Sequence, residues 1–143
     1  MNGSWVLDAW AILALLQAEE PAAGRVRALV ASVQPGDRGG WLHMSLINLG
    51  EVFYRVGRTR NLAMAETTLA LLRELPIHFV PVTESRILAA ARLKADYALS
   101  YADAFAAALA SELSGTLLTG DPELIAAAPA VGYAIEALER GRR

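Results

Sequence analysis

The chain has 143 residues, 55% of them hydrophobic, with 15 acids against 13 lysines and arginines and no cysteine. That length and composition exclude a disordered chain and predict one domain, residues 1–143, with a well-filled core. A disulfide framework and thiolate zinc ligation are excluded, and a formal net charge of −2 excludes the uniformly basic surface of many nucleic-acid binders.

Trp5-Val6-Leu7 is a short apolar run that reads as a buried strand ending at Asp8. Apolar Val6 to Leu16 carries Asp8, has no basic segment before it and is far short of the ~20 residues of a bilayer span. A protein of the cytoplasm, with no membrane partner, is the expectation. Ala9 to Ala18 has helical composition, and Pro21 opens a second helix through Val33. Residues 35–40, Pro-Gly-Asp-Arg-Gly-Gly, form a loop. Trp41 to Leu46 reads as a strand, Ile47 to Val56 as a helix ended by Gly57, and Asn61 to Leu75 as a helix stopped by Pro76. Ile77 to Val82 is strand-like, with Pro81 marking an edge or an end. Helices follow over Thr83–Ala95, capped by Thr83, and over Tyr101–Leu113, ended by Gly115. Thr116–Thr119 is a strand, Pro122–Ala127 a short helix, and Gly132–Ile135 the last strand.

Strands alternating with helices predict an α/β fold, a three-layer α/β/α sandwich around a short, mainly parallel sheet of four to five strands. Ligands of such sheets bind beyond the carboxyl ends of the strands, near a topological switch point. The junctions at that edge each carry an acid. Asp8 closes the first strand, Glu51 follows the second, Asp103 lies in the first turn of the Tyr101 helix, and Asp121 follows the fourth strand. Four carboxylates on one edge repel unless a cation holds them, and hard cations such as Mg²⁺ and Mn²⁺ take oxygen ligands. Each acid also has a local reading. Asp8 and Asp121 suit helix N-caps, the latter with Pro122 at the next position. Ser100 with Asp103, and Asn48 with Glu51, have capping-box spacing.

Together these segments resemble the motifs of the PIN-domain family. Residues 6–16, Val-Leu-Asp-Ala-Trp-Ala-Ile-Leu-Ala-Leu-Leu, resemble its opening motif, and Asn48-Leu49-Gly50-Glu51-Val52 its second. Leu99-Ser100-Tyr101-Ala102-Asp103-Ala104-Phe105 is similar to the third, and Leu117-Leu118-Thr119-Gly120-Asp121 to the fourth. They stand in the family's order over essentially the whole chain. The resemblance implies a VapC-type ribonuclease, the toxin of a VapBC toxin–antitoxin pair, hydrolysing RNA phosphodiesters with water activated by Mg²⁺ or Mn²⁺. Asp8 and Asp103 would be the principal metal ligands and catalytic acids, with Glu51 and Asp121 completing the cluster. Thr119 would orient a ligand or a water, or serve simply as a β-branched strand residue, and Asn48 would be a partner of a ligand or a cap. One departure is that many members carry a small hydroxyl residue right after the first aspartate, where this chain has Ala9 and Trp10.

The family also implies a homodimer and a VapB-type antitoxin, whose C-terminal helix docks on the apolar helices between Leu46 and Leu75 and sends an arginine to the carboxylates. Arg55, Arg58 and Arg60 form the densest basic cluster, a solvated face or an RNA contact, while Arg140, Arg142 and Arg143 read as a frayed tail. His43 and His78 fall in predicted strands and read as structural. A serine nucleophile elbow and a P-loop are absent from the sequence. A haloacid dehalogenase-like phosphatase would need a second aspartate where Trp10 stands and a placed lysine, and Lys94 is the only lysine. A non-catalytic PIN-like module that binds RNA or protein is the other alternative.

Overall fold

The computed structural model describes residues 3–33 and 41–141, so the predicted 35–40 loop, Arg142 and Arg143 lie outside the described residues. Five strands form one sheet, β1 (Trp5–Leu7), β2 (Leu42–Ser45), β3 (His78–Val80), β4 (Thr116–Thr119) and β5 (Ala134–Ala137), in the order β3-β2-β1-β4-β5. All pairings in it are parallel, and β1 lies at the centre with Leu7 opposite Leu118 and Val6 beside both His43 and Leu117. Pro81 directly follows β3, which is an edge strand, as a residue lacking a backbone donor allows.

Successive strand residues point to opposite faces, and both faces are buried. Leu7, Leu42, Met44 and Leu118 enter one core with α1 (Ala9–Leu16), α2 (Ala22–Ala31), α3 (Leu46–Thr59) and α4 (Leu62–Arg73). Val6, Leu117 and Val80 enter the other with α5 (Glu84–Asp96), α6 (Tyr101–Leu113) and α7 (Pro122–Val131). The result is the expected three-layer sandwich. Helix α6 is buried along Ala104, Phe105, Ala106, Ala107, Leu109 and Ala110, and its alanines let it lie close to the sheet.

Several boundaries move for local reasons. The second strand stops at Ser45, whose hydroxyl accepts from the Ile47 N–H, so α3 begins at Leu46. Gly57 does not end α3, which runs on to Thr59. Gly57 instead faces α4 from mid-helix, where an added Cβ would stand 3.3 Å from Leu62 Cδ2. Helix α1 is shorter than predicted, ending at Leu16, with Ala18 in the left-handed region at φ 52°. Helix α7 continues to Val131 despite Pro129, and β5 starts at Ala134, just after Tyr133, whose hydroxyl donates to the Leu124 carbonyl of α7. As an edge strand, β5 carries a charge, Glu136, paired with Arg25 at 2.6 Å.

Chain order reverses between β1 and β4: the first three strands run outward to one edge, and the last two start beside β1 on its other side. That is the switch point where such sheets open a crevice.

Leu62 is two-thirds exposed and free to swing, so Gly57→Ala meets only a movable methyl while removing the conformational entropy of a mid-helix glycine. Urea denaturation of Gly57→Ala is expected to show unchanged or higher stability, by up to about 1 kcal/mol.

Candidate functional site

The switch point is built around Asp8. The residue leaves β1 in extended backbone and caps α1, its Oδ1 accepting from the Ala11 N–H at 2.9 Å. The carboxylate is 1% exposed, and its Oδ2 accepts from the Thr119 hydroxyl at the end of β4. Thr119 Oγ1 in turn accepts from the Asp121 N–H at 3.0 Å. One relay therefore joins the ends of the two strands that flank the reversal. Asp121 caps α7 through the N–H groups of Glu123 (2.9 Å) and Leu124 (3.1 Å), with Pro122 at the first helical position. Asp103 enters from the first turn of α6, whose cap Ser100 accepts from the Asp103 N–H.

Each local capping expectation for Asp8, Asp121 and Ser100 is met, and the same caps aim the acids at one place. Asp103, Asp121 and Glu123 each offer a carboxylate oxygen within 4.8 Å of the others. Glu123 went unnoticed in the sequence; its signal was an acid two residues beyond Asp121, in a helical first turn where acids are common for dipole reasons alone. Glu51 reaches the same cleft but stands apart from the trio. It lies in the second turn of α3, and its Oε2 is held at 3.0 Å by both Nε and Nη2 of Arg55. Asn48 is not a cap, contrary to the spacing with Glu51, because Ser45 takes that position. It is fully buried and donates from Nδ2 to the Ala102 carbonyl at 3.0 Å, pinning α3 to the start of α6.

Electrostatically the cluster is unbalanced. Burial pushes the Asp8 carboxyl up to about 7, against the hydrogen bonds from Thr119 and Ala11, with the charges of Asp103 and Asp121 adding to the rise. Burial, then the charge of Asp121, raises Asp103 to about 6 despite the Ser100 bond, and Glu51 and Glu123 contribute. The potential extends under α7: burial first, then Asp103 and Asp121, push the Tyr133 phenol to about 12. Among the described residues no arginine or lysine pairs with Asp8, Asp103, Asp121 or Glu123. An all-oxygen donor set with surplus negative charge suits a hard divalent cation.

The acids open into two connected clefts of about 200 Å³ and 570 Å³, sharing Glu51, Arg55, Asp103 and Asp121. The Trp10 indole walls the smaller one. It packs so tightly on the β4–α7 turn that a Cβ at Gly120 would fall 2.3 Å from the ring, so this turn requires glycine. Arg140, expected in a frayed tail, has its guanidinium 5.4 Å from the Trp10 ring centroid. A larger cavity, about 740 Å³, is a neighbouring groove between α1, α3 and α4, lined by Leu13, Leu16, Tyr54, Val56, Met64 and Leu71. Leu13, Gln17 and Arg55 line both groove and acid cleft. Arg58 stacks over Tyr54 and, with Arg60, lies on the groove side. His43 is buried in β2 with its ring edge-on to that of His78 in β3, and neither lines the acid cleft.

Residues 5–129 match the PIN domain model, and the chain belongs to the PIN domain family. No curated protein sequence matches the chain. Among solved structures, it resembles Mycobacterium tuberculosis VapC20, a sarcin–ricin loop cleaving toxin, with 20% identity, 96% of this chain and 100% of the other covered, and a TM-score of 0.71. VapBC2 of Rickettsia felis, bound to a promoter DNA fragment, is 13% identical with a TM-score of 0.69 over 94% of this chain and 98% of the other. VapBC-1 of nontypeable Haemophilus influenzae is 19% identical with a TM-score of 0.66, over 93% and 96%. At these identities the likeness is one of fold.

Two predictions come from this geometry. A carboxyl raised from 3.8 to about 7 binds protons more tightly folded than unfolded, so its contribution is whole below about pH 4 and is lost as pH rises to about 7. Metal-free protein should therefore melt at lower temperature as pH climbs through that window, and Asp8→Asn, which keeps a capping side chain without the charge, should flatten the decline. Gly120→Ala should destabilise by about 1–3 kcal/mol in urea denaturation, the cost of forcing a methyl against Trp10.

Proposed function

We propose that the chain is a divalent-metal-dependent endoribonuclease, the toxin of a VapBC-type toxin–antitoxin pair. The observation that carries this reading is the gathering of Asp8, Asp103, Asp121 and Glu123 at the switch point of a PIN-domain sheet, with no arginine or lysine paired to any of them among the described residues. Asp8 and Asp103 would be the principal ligands of the ion, Mg²⁺ or Mn²⁺, with Asp121 and Glu123 beside Asp103 and Glu51 on the cleft wall. When bound, such an ion supplies Lewis acidity to water and to a phosphodiester.

The chain's own residues do the positioning. Asp8 is too buried to meet a substrate, and the Thr119 hydroxyl and Ala11 N–H fix its two oxygens. Arg55 keeps Glu51 turned to the cleft. Neither histidine reaches the site, which leaves acid–base work to carboxylates and solvent.

The groove beside the cleft supports the antitoxin half of the reading. An amphipathic segment seated on Leu13, Leu16, Met64 and Leu71 would lie next to Arg55 and Gln17, where a basic side chain could continue into the carboxylates. A homodimer belongs to the same reading, and Val82, Ile87 and Leu88 on and beside α5 offer exposed apolar surface. The phosphatase alternative finds no support, since the Lys94 ammonium is bonded to the Leu99 carbonyl.

The test is cleavage of total cellular RNA by purified protein in Mn²⁺ or Mg²⁺. Discrete fragments are expected, lost in EDTA and reduced more than about 100-fold in Asp8→Asn and Asp103→Asn. Thr119→Val, which removes only a partner of a ligand, should cost about 10–100-fold. Cleavage unaffected by EDTA and by these substitutions would contradict the reading.

A further inference from the structure

Arg140 follows β5 and is held in place by its backbone. Its backbone forms an antiparallel bridge with Pro21, and Leu138, two residues earlier, donates its N–H to the Thr119 carbonyl at 2.7 Å. The segment after β5 is thereby strapped to the turn that carries Asp121 and to the start of α2. At Gly141 the backbone comes so close to the Glu20 carbonyl that a Cβ would be 2.6 Å from it. The strap delivers the Arg140 side chain to the acid cleft, over Trp10, in a lining that also includes Arg55.

These two arginines are the only cations lining that cleft among the described residues, and they are held differently. Arg55 is committed to Glu51 through two 3.0 Å contacts. Arg140 has one longer ion pair, Nε to Glu19 at 3.4 Å, and its side chain is 65% exposed. An RNA strand crossing the cleft brings phosphates toward Asp8, Asp103, Asp121 and Glu123, whose combined charge one divalent ion does not cancel. A cation at the rim favours the approach of a phosphate, and a loosely paired guanidinium whose fork matches phosphate oxygens supplies it.

We propose that Arg140, steadied by the Trp10 ring, binds a backbone phosphate of the RNA strand as it passes over the carboxylate cleft, exchanging Glu19 for the phosphate. The proposal rests on the nuclease reading above. It makes Arg140 a substrate-binding residue and Trp10 the residue that positions it, and it gives a role to the aromatic side chain standing near the first aspartate.

The experiment uses full-length protein and two readouts. Binding of a short fluorescein-labelled single-stranded RNA of mixed sequence is followed by anisotropy across a salt series, in cleavage-deficient Asp103→Asn protein with Mn²⁺. KM and kcat are measured on an RNA that the unmodified protein cuts. Arg140→Gln should weaken binding about tenfold, raise KM by a similar factor with kcat nearly unchanged, and make the log–log salt slope shallower by about 0.7, the loss of one phosphate contact on a single strand. Arg140→Lys should keep the slope and recover part of the affinity. Glu19→Gln should tighten binding, and the gain should shrink when Arg140→Gln is also present. Unchanged KM and slope in Arg140→Gln, or a fall in kcat alone, would overturn the proposal while RNA cleavage by the unmodified protein leaves the nuclease reading standing. Failure of unmodified protein to bind or cut any RNA would overturn both.

Discussion

A carboxylate buried at the carboxyl end of the central strand is expensive, because removing a charge from water costs several kcal/mol unless hydrogen bonds or an opposite charge compensate. Asp8 has the hydrogen bonds and, among the described residues, no paired cation. Its oxygens take the Ala11 N–H and the Thr119 hydroxyl, and the Asp121 N–H completes the line to the end of β4. Those bonds close the seam between β1 and β4, set the start of α1 and hold the turn that carries Asp121. They do not return the carboxyl to its ordinary range, since burial raises it to about 7. The fold thus holds a charge deficit at its centre.

That deficit organises what surrounds it. Asp103 and Asp121 are aimed inward by the caps of α6 and α7, so the bonds that start the helices also concentrate the negative charge. Neutralising contacts stay at the margin, with Arg55 on Glu51 and Arg140 on Glu19. The apolar groove between α1, α3 and α4 abuts the cleft through Leu13, Gln17 and Arg55, so an occupant of one would be felt in the other. Cation, nucleic acid and protein partner, in the reading proposed, all answer the same surplus of carboxylate.

Much of this was legible in the sequence where local chemistry and topology coincide. A strand-ending aspartate at position 8 and an aspartate before Pro122 are cap signals whatever the fold, and the alternation of elements placed both at one sheet edge. Legibility ended where a residue's role depends on a distant neighbour. Gly57 looks like a helix stop and instead faces Leu62 of the next helix from within α3. Asn48 has the spacing of a cap, yet Ser45 caps and Asn48 ties α3 to α6, a contact 54 residues away. Glu123 reads as a helix-dipole acid until Asp103 arrives from another segment. Arg140 looks like a tail residue because nothing local reveals the Pro21 bridge or the Trp10 ring.

Carboxylates arranged for a divalent cation are tested directly by Mn²⁺ titration calorimetry in buffers of different ionisation enthalpy. Ligand carboxylates must be deprotonated, so binding to groups raised to about 7 and about 6 expels protons. One bound ion or two is expected, with release of about one proton or more near pH 6, falling toward zero above about pH 8. Absence of Mn²⁺ binding at neutral pH, or binding that releases no protons at any pH and survives Asp8→Asn with Asp103→Asn, would contradict it.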